Sequence, residues 1–296
     1  MTTALGRVWF VSAPPARVAV VRILVGGYVL WYVGRRRRML RRVAGGDPEL
    51  FRPVGVVSAL KHPLSPAAFR LTLDATQASG VAFLLGWRHA HSGPLFAGLL
   101  TWLLTYRNSW SMLYHNDNAL VLHVVVLGVA PSADALSLDS RRRGGRVPAA
   151  DGRYGWPLKA MNAVTVLSYF LAAVAKVKGP LGWGWASGEA LRRQIAVDGV
   201  RKELLGDGAA PLAYRLYGRV GLFRMLAAGS LAIEGLAPLA LADRRVGRAW
   251  AAGALGMHWG IYLLMRIKFR YQQSGLMFAP FFPVERAPAA LARLVR

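Results

Sequence analysis

The sequence predicts an all-α fold, a polytopic transmembrane helix bundle of about seven or eight helices. Three observations carry this reading. Of 296 residues, 54% are hydrophobic and 18% charged, with a mean hydropathy of +0.32, unlike an ordinary soluble domain. The apolar residues form continuous runs, whereas barrel strands would show short segments of alternating polarity. Basic residues gather at the ends of those runs, where they meet anionic headgroups.

The first run, Val18 to Gly34, is interrupted only by Arg22 and closed by Arg35, Arg36, Arg37, Arg38, Arg41 and Arg42. Further candidates are Ala67 to Trp87, Pro94 to Tyr106, Trp110 to Ala130, Leu158 to Lys176, Val220 to Ala242, Ala249 to Met265 and Gly275 to Val284. A hydrocarbon core about 30 Å thick needs roughly 20 helical residues, so the shorter runs must borrow flanking residues, tilt or re-enter. Arg17 and Arg22 lie within the first apolar stretch and no cleavage site precedes it, so no cleavable secretory signal is expected and the first helix is retained. Residues 1–296 read as a single transmembrane domain with no separate soluble domain, placed in the cell membrane as a multi-pass protein. Three candidate helices separate the Arg35 cluster from the one at Arg141 to Arg146. Three crossings put these clusters on opposite faces, so either a segment within Ala67 to Tyr106 stops short or one cluster stands on the outer face.

Lys and Arg number 38 against 14 Asp and Glu, a formal charge of 38 − 14 = +24. In a soluble chain that excess suggests nucleic acid; at the ends of apolar runs it points to the lipid bilayer as partner, and no nucleic acid is expected. The absence of cysteine excludes disulfides, thiolate metal sites, iron–sulfur clusters and cysteine nucleophiles. No dinucleotide fingerprint, P-loop, zinc-protease or nucleophile-elbow motif occurs, and no internal repeat.

Chemistry must then come from polar groups within the membrane, which are costly unless they face a cavity or a partner. Arg22, Arg70, Asp74, His115, Asp117, His123, Lys176, Lys178, Glu234 and His258 lie in or beside apolar runs. Lys178, next to Gly179 and Pro180, snorkels to the interface, and Arg22 is expected to pair with Asp74 or Glu234. Asp117 or Asn118 is expected to cap the helix that follows. His115 and His123 are eight residues apart, about 80° around a helix, and can face one cavity. The spacing presents no three ligands together, so no metal is expected.

Three blocks in order carry a family resemblance: Tyr106 to Asp139, containing HNDNALVLHVVVLGVAPSADALSLD; Tyr169 to Lys176 followed by Trp183, Trp185, Gly188 and Leu191; and Leu255 to His258 running into Gly275 to Phe278. Together they resemble the horizontally transferred transmembrane (HTTM) family, related to vitamin K-dependent gamma-glutamyl carboxylase, from Arg17 to about Pro283. The resemblance implies that Lys176 is the base that deprotonates a vitamin K-type hydroquinone, the quinol cofactor. The quinolate then reacts with oxygen to give a strong base that removes a glutamate gamma proton before carbon dioxide adds. An amine in a low-dielectric pocket has its charged form disfavoured, which suits that role.

By the same resemblance His115 and His258 join Lys176 as catalytic residues, and Tyr169, Phe170 and Trp183 bind the cofactor. An ungapped count to Asp139 places Asp117, not His115, at the family's histidine position. Two departures stand out: the paired lysines of the carboxylase become Ala175-Lys176, and Ile261 replaces an asparagine. The last apolar run ends close to Arg296, so the soluble domain by which the carboxylase grips a protein substrate is not expected. A lyase of the carboxylase and quinol-epoxidase type acting on a peptide substrate is therefore one expectation. The alternatives are a membrane protein of the sporulation-delaying type for peptide-toxin maturation, and a non-catalytic module for transport or immunity.

Overall fold

The computed structural model describes residues 6, 9–110, 112–114 and 117–287. Among the described residues every regular element is helical, and the bridge between Ala13 and Asp151 is isolated. The helices are α1 Pro15–Arg35, α2 Arg37–Ala44, α3 Pro66–Leu85, α4 His89–Asn108, α5 Asn118–Val129, α6 Leu138–Arg142, α7 Gly152–Lys178, α8 Glu189–Leu204, α9 Pro211–Leu216, α10 Val220–Gly235, α11 Arg244–Met265 and α12 Arg270–Gln273. Two of them, α1 and α7, are long and apolar enough to cross a membrane, while α5 is apolar but only 12 residues long.

Two expected runs fold differently. Within the run Trp110 to Ala130, the α-helix begins at Asn118, and the described residues 112–114 are not helical. Trp110 instead packs its ring against Phe51 and Tyr106, at 5.1 and 6.1 Å. The run Gly275 to Val284 forms two short 3-10 segments, Leu276–Phe281 and Val284–Arg286. Gly275, at φ 77, stops the preceding helix, and Pro280 and Pro283 lack the N–H that an α-helix needs.

The chain divides into two compact units, residues 1–161 with 283–296, and residues 162–282. In the first, α1, α3, α4 and α5 pack together. Small residues let α4 and α5 touch backbone to backbone: a Cβ on Gly93 would sit 2.3 Å from the Gly128 carbonyl oxygen. At one end of this unit lies a polar knot around Arg22, which is fully buried. Its guanidinium donates to the carbonyls of Ser132 and Leu136, at 2.5 and 2.7 Å. Ser132 Oγ lies 2.9 Å from His89 Nε2, and Asp139 accepts from the backbone N–H groups of Arg88 and His89, both at 2.8 Å. That outside carboxylate explains why α4 begins at His89, ahead of the apolar run. The expected pairing of Arg22 with Asp74 or Glu234 is not made. Asp74 accepts from Arg37 and Glu234 from Lys176, and backbone carbonyls of the 130–137 loop accept from the two terminal nitrogens of Arg22 instead.

The helix polarities fix the two arginine clusters. Arg38, Arg41 and Arg42 stand beside Pro66 and Arg70 at the start of α3. Asp139 donates its backbone N–H to the Gly86 carbonyl just beyond the end of α3, and Arg141 follows two residues later. The clusters therefore lie at opposite ends of a 20-residue helix, about 30 Å apart.

Arg17 holds Glu285 through two hydrogen bonds of 2.9 and 2.7 Å, tying Val284–Arg286 to the start of α1. Burial alone would raise the Glu285 carboxyl, but the Arg17 hydrogen bonds and charge outweigh it and hold it below its ordinary value of 4.5. A folded value below the unfolded one makes this tie complete above pH about 4.5 and weaker as pH falls through the folded value. Hydrogen exchange at Val284–Arg286 is expected to stay protected down to that pH and to accelerate below it, whereas Glu285→Gln exchanges fast even at pH about 7.

The second unit is built on α8, α9, α10, α11 and the later part of α7, with Ile195, Ala210, Ala213, Phe223 and Leu264 as a buried cluster. Helix α8 is polar: Asp198 is buried and pairs with Lys202 at 2.6 Å and Arg201 at 3.0 Å, one turn ahead on the same face. Gly188, at φ 83, lets the start of α8 approach Phe223, where a Cβ would lie 2.5 Å from backbone atoms.

Candidate functional site

The site is assembled within the second unit. Tyr169 and Lys176 are seven residues apart on α7, about 20° short of two full turns, so both face the same side, with buried Ala173 between them. Glu234 comes from the last turn of α10. His258 and Trp250 come from α11, eight residues apart and hence also on related faces.

Lys176 Nζ donates to both Glu234 oxygens, at 2.6 and 2.5 Å, with the lysine side chain 23% exposed and the glutamate 9%. The indole of Trp185 lies over this ammonium at 5.2 Å. Tyr169 Oη and His258 Nε2 are 2.7 Å apart, with donor and acceptor set by the imidazole tautomer. Trp250 meets the Tyr169 ring edge-on at 5.1 Å and donates its indole N–H to the Ile233 carbonyl at 2.8 Å. Phe269 and Phe278 flank the same two side chains. His258 is buried, and its Nδ1 has no hydrogen-bond partner among the described residues.

Helix α11 is started by Asp243, which accepts from the Arg245 and Val246 N–H groups at 2.7 and 3.1 Å. Backbone hydrogen bonds from Val246 and Arg245 hold its carboxyl below the usual aspartate value.

The structure thus brings together Lys176, Tyr169 and His258. Phe170 is 37% exposed and Trp183 74% exposed, and neither joins this cluster. Lys178 is exposed at the end of α7. His123 is fully buried in the first unit, where its Nε2 lies 3.0 Å from the Met161 carbonyl. His115 lies outside the described residues. Asp117 stands at the N-cap of α5 but does not cap it through its side chain; Arg107 and Tyr32 hold the carboxylate instead, at 2.8 and 2.6 Å. Among the described residues no three His, Asp or Glu gather in a way that could hold a metal ion.

Glu234 and Trp185 were both noted in the sequence, but their placement against Lys176, as its carboxylate partner and as the ring over it, was missed. The signal for Glu234 was available, because it is the one acidic residue in the run Val220 to Ala242. No family model, curated protein or solved structure matches the chain.

Chemically, the cluster holds two proton-bearing pairs side by side under aromatic cover. Moving one proton from Lys176 Nζ to Glu234 across the 2.5 Å contact leaves both groups neutral, and the amine then offers a lone pair. Protons on Tyr169 and His258 can likewise exchange along their hydrogen bond.

Proposed function

We propose that the chain is a multi-pass membrane protein of the HTTM type whose second unit binds a vitamin K-type quinol and takes a proton from it at Lys176. The membrane reading is supported by where apolar and charged side chains lie. Leu71, Leu95, Val129, Leu171, Met225 and Leu263 project outward from α3, α4, α5, α7, α10 and α11, while Arg22, Arg107 and Asp117 are buried. Helix α7 is the plainest case, since only 28% of its most apolar stretch is buried. Helices α3, α4 and α11, of 20, 20 and 22 residues, match a hydrocarbon core of about 30 Å in length.

Because the sequence contains no cysteine, single cysteines report topology cleanly. With α3, α4 and α5 crossing the bilayer, Arg42→Cys and Arg142→Cys react with a membrane-impermeant maleimide from opposite sides of sealed vesicles. Labelling of both from one side would remove the crossing.

The observation that carries the functional reading is the Lys176–Glu234 pair beside the Tyr169–His258 hydrogen bond. A phenolic ring fits this donor set, because Trp185 supplies a face, Tyr169 a hydroxyl and His258 a buried ring nitrogen without a partner among the described residues. When bound, a hydroquinone supplies an acidic phenol and an oxidisable ring. Lys176, relieved of one proton by Glu234, accepts the phenol's proton at Nζ. Tyr169 and His258 hold a ring oxygen by hydrogen bonds, and Trp250, Phe269 and Phe278 keep water from the reacting face. A peptide glutamate is the substrate class that the family resemblance supplies. Membranes containing the protein, given vitamin K hydroquinone and oxygen, are expected to form the epoxide, and its absence with the wild type sinks the reading.

One observation favours a second reading. Glu234 contacts Lys176 through both oxygens, the geometry of an ion pair that serves only to neutralise a lysine in a non-catalytic module.

A further inference from the structure

Away from the Lys176 cluster, in the first unit, a cavity of about 330 Å³ is lined by Arg38, Arg41, Arg42, Ala44, Pro66, Phe69 and Arg70. Its size falls at the lower end of ordinary ligand sites. Arg38, Arg41 and Arg42 recur at the spacing that puts side chains on one face of α2, and Arg70 faces them from the first turns of α3. No acidic residue lines the cavity. The nearby carboxylate of Asp74 accepts from Arg37 instead. None of the four lining guanidinium groups has a hydrogen bond or ion pair to another protein group among the described residues. The first turn of α3, which also borders the cavity, contains no acidic residue. Buried Phe69 and Ala44 form an apolar floor.

Four guanidiniums with no carboxylate bound to any of them repel one another, so folding alone gives little reason to converge them on one concavity. An oxyanion with several acceptor oxygens removes that repulsion, and the planar fork of arginine matches phosphate two bonds at a time. We propose that this cavity is a binding site for a phosphate group, held by Arg38, Arg41, Arg42 and Arg70. Its position at the end of α3 suits either the phosphodiester of an anionic lipid or a free phosphate ester. The inference stands independently of the quinol reading, since it concerns different residues.

The test uses the full chain in detergent and in nanodiscs. Inorganic pyrophosphate binding to the detergent-solubilised protein is measured by calorimetry at about 0.15 M ionic strength, where diffuse surface attraction is screened. The wild type is expected to bind, and R38Q/R70Q is expected to bind at least about tenfold more weakly. R141Q/R142Q removes the same charge at the opposite end of α3 and is expected to bind as the wild type does. Because R38Q/R70Q relieves repulsion at exposed positions, its melting temperature is expected to be unchanged or raised, which separates lost binding from unfolding. Nanodiscs containing phosphatidylglycerol distinguish the sources. Loss of pyrophosphate binding there, but not in phosphatidylcholine nanodiscs, assigns the site to a lipid headgroup; equal binding in both assigns it to a soluble phosphate ester. Wild-type binding too weak to detect in detergent, equal binding by R38Q/R70Q, or an equal loss in R141Q/R142Q overturns the proposal.

Discussion

Lys176→Met is expected to abolish quinol oxidation and to destabilise the second unit, because it leaves the Glu234 carboxylate, 9% exposed, without its cation. Removing one partner of a buried pair costs about 3–5 kcal/mol, and the 23% exposure of Lys176 places this pair toward the lower end. Adding Glu234→Leu removes the stranded charge, so the double variant K176M/E234L is expected to recover most of that stability while remaining inactive. Thermal melting and epoxide formation, measured on the same preparations, separate the two roles. Turnover retained in K176M/E234L reduces Lys176 and Glu234 to a neutralising pair and favours the non-catalytic module.

Arg107→Met is expected to be at least as damaging, and in the other unit. Arg107 and Asp117 are both only 5% exposed and meet at 2.8 Å. Tyr32 donates to the same Asp117 oxygen at 2.6 Å, and the Arg107 guanidinium also donates to Asn108 at 2.8 Å and lies 4.2 Å from the Tyr114 ring. Losing the guanidinium removes the Arg107 cation from a buried carboxylate, at a cost of about 3–5 kcal/mol. The loss belongs to the last turn of α4 and the first of α5, so hydrogen exchange is expected to accelerate there and to leave α10 and α11 as they were. Asp117→Asn keeps the hydrogen-bonding shape and is expected to cost less, and R107M/D117L is expected to recover part of the loss. Equal destabilisation by R107M and R107M/D117L would show that the arginine packs rather than pairs.

Helix positions were legible wherever an apolar run was long and ended in charge. Val18 to Gly34 became Pro15–Arg35, and Ala67 to Trp87 became Pro66–Leu85, because Pro at the start and Gly86 at the end mark those limits chemically. Polarity alone misread Gly275 to Val284, where composition is apolar but Gly275, Pro280 and Pro283 forbid a regular helix. It also passed over Glu189–Leu204, whose seven charged residues leave no continuous apolar run to recognise.

The site was partly legible for a related reason. Tyr169 and Lys176 share a helix face, and that is a property of spacing. Which carboxylate neutralises Lys176, and which carbonyls accept from Arg22, depend on contacts 58 and 110 residues away in sequence. Trp185 and Trp183 differ by two residues on a 3-10 segment, so which indole covers Lys176 depends on the turn at Gly182, at φ 50, and not on composition.

The central claim, that Lys176, Glu234, Tyr169 and His258 form one quinol site, is tested most directly by photo-crosslinking. A naphthoquinol bearing an aryl azide is irradiated with the protein in nanodiscs, and the adducts are mapped by mass spectrometry. The account predicts adducts on 169–185 or 250–258, suppressed by excess vitamin K hydroquinone. Adducts confined to the first unit, or insensitive to the competitor, contradict it.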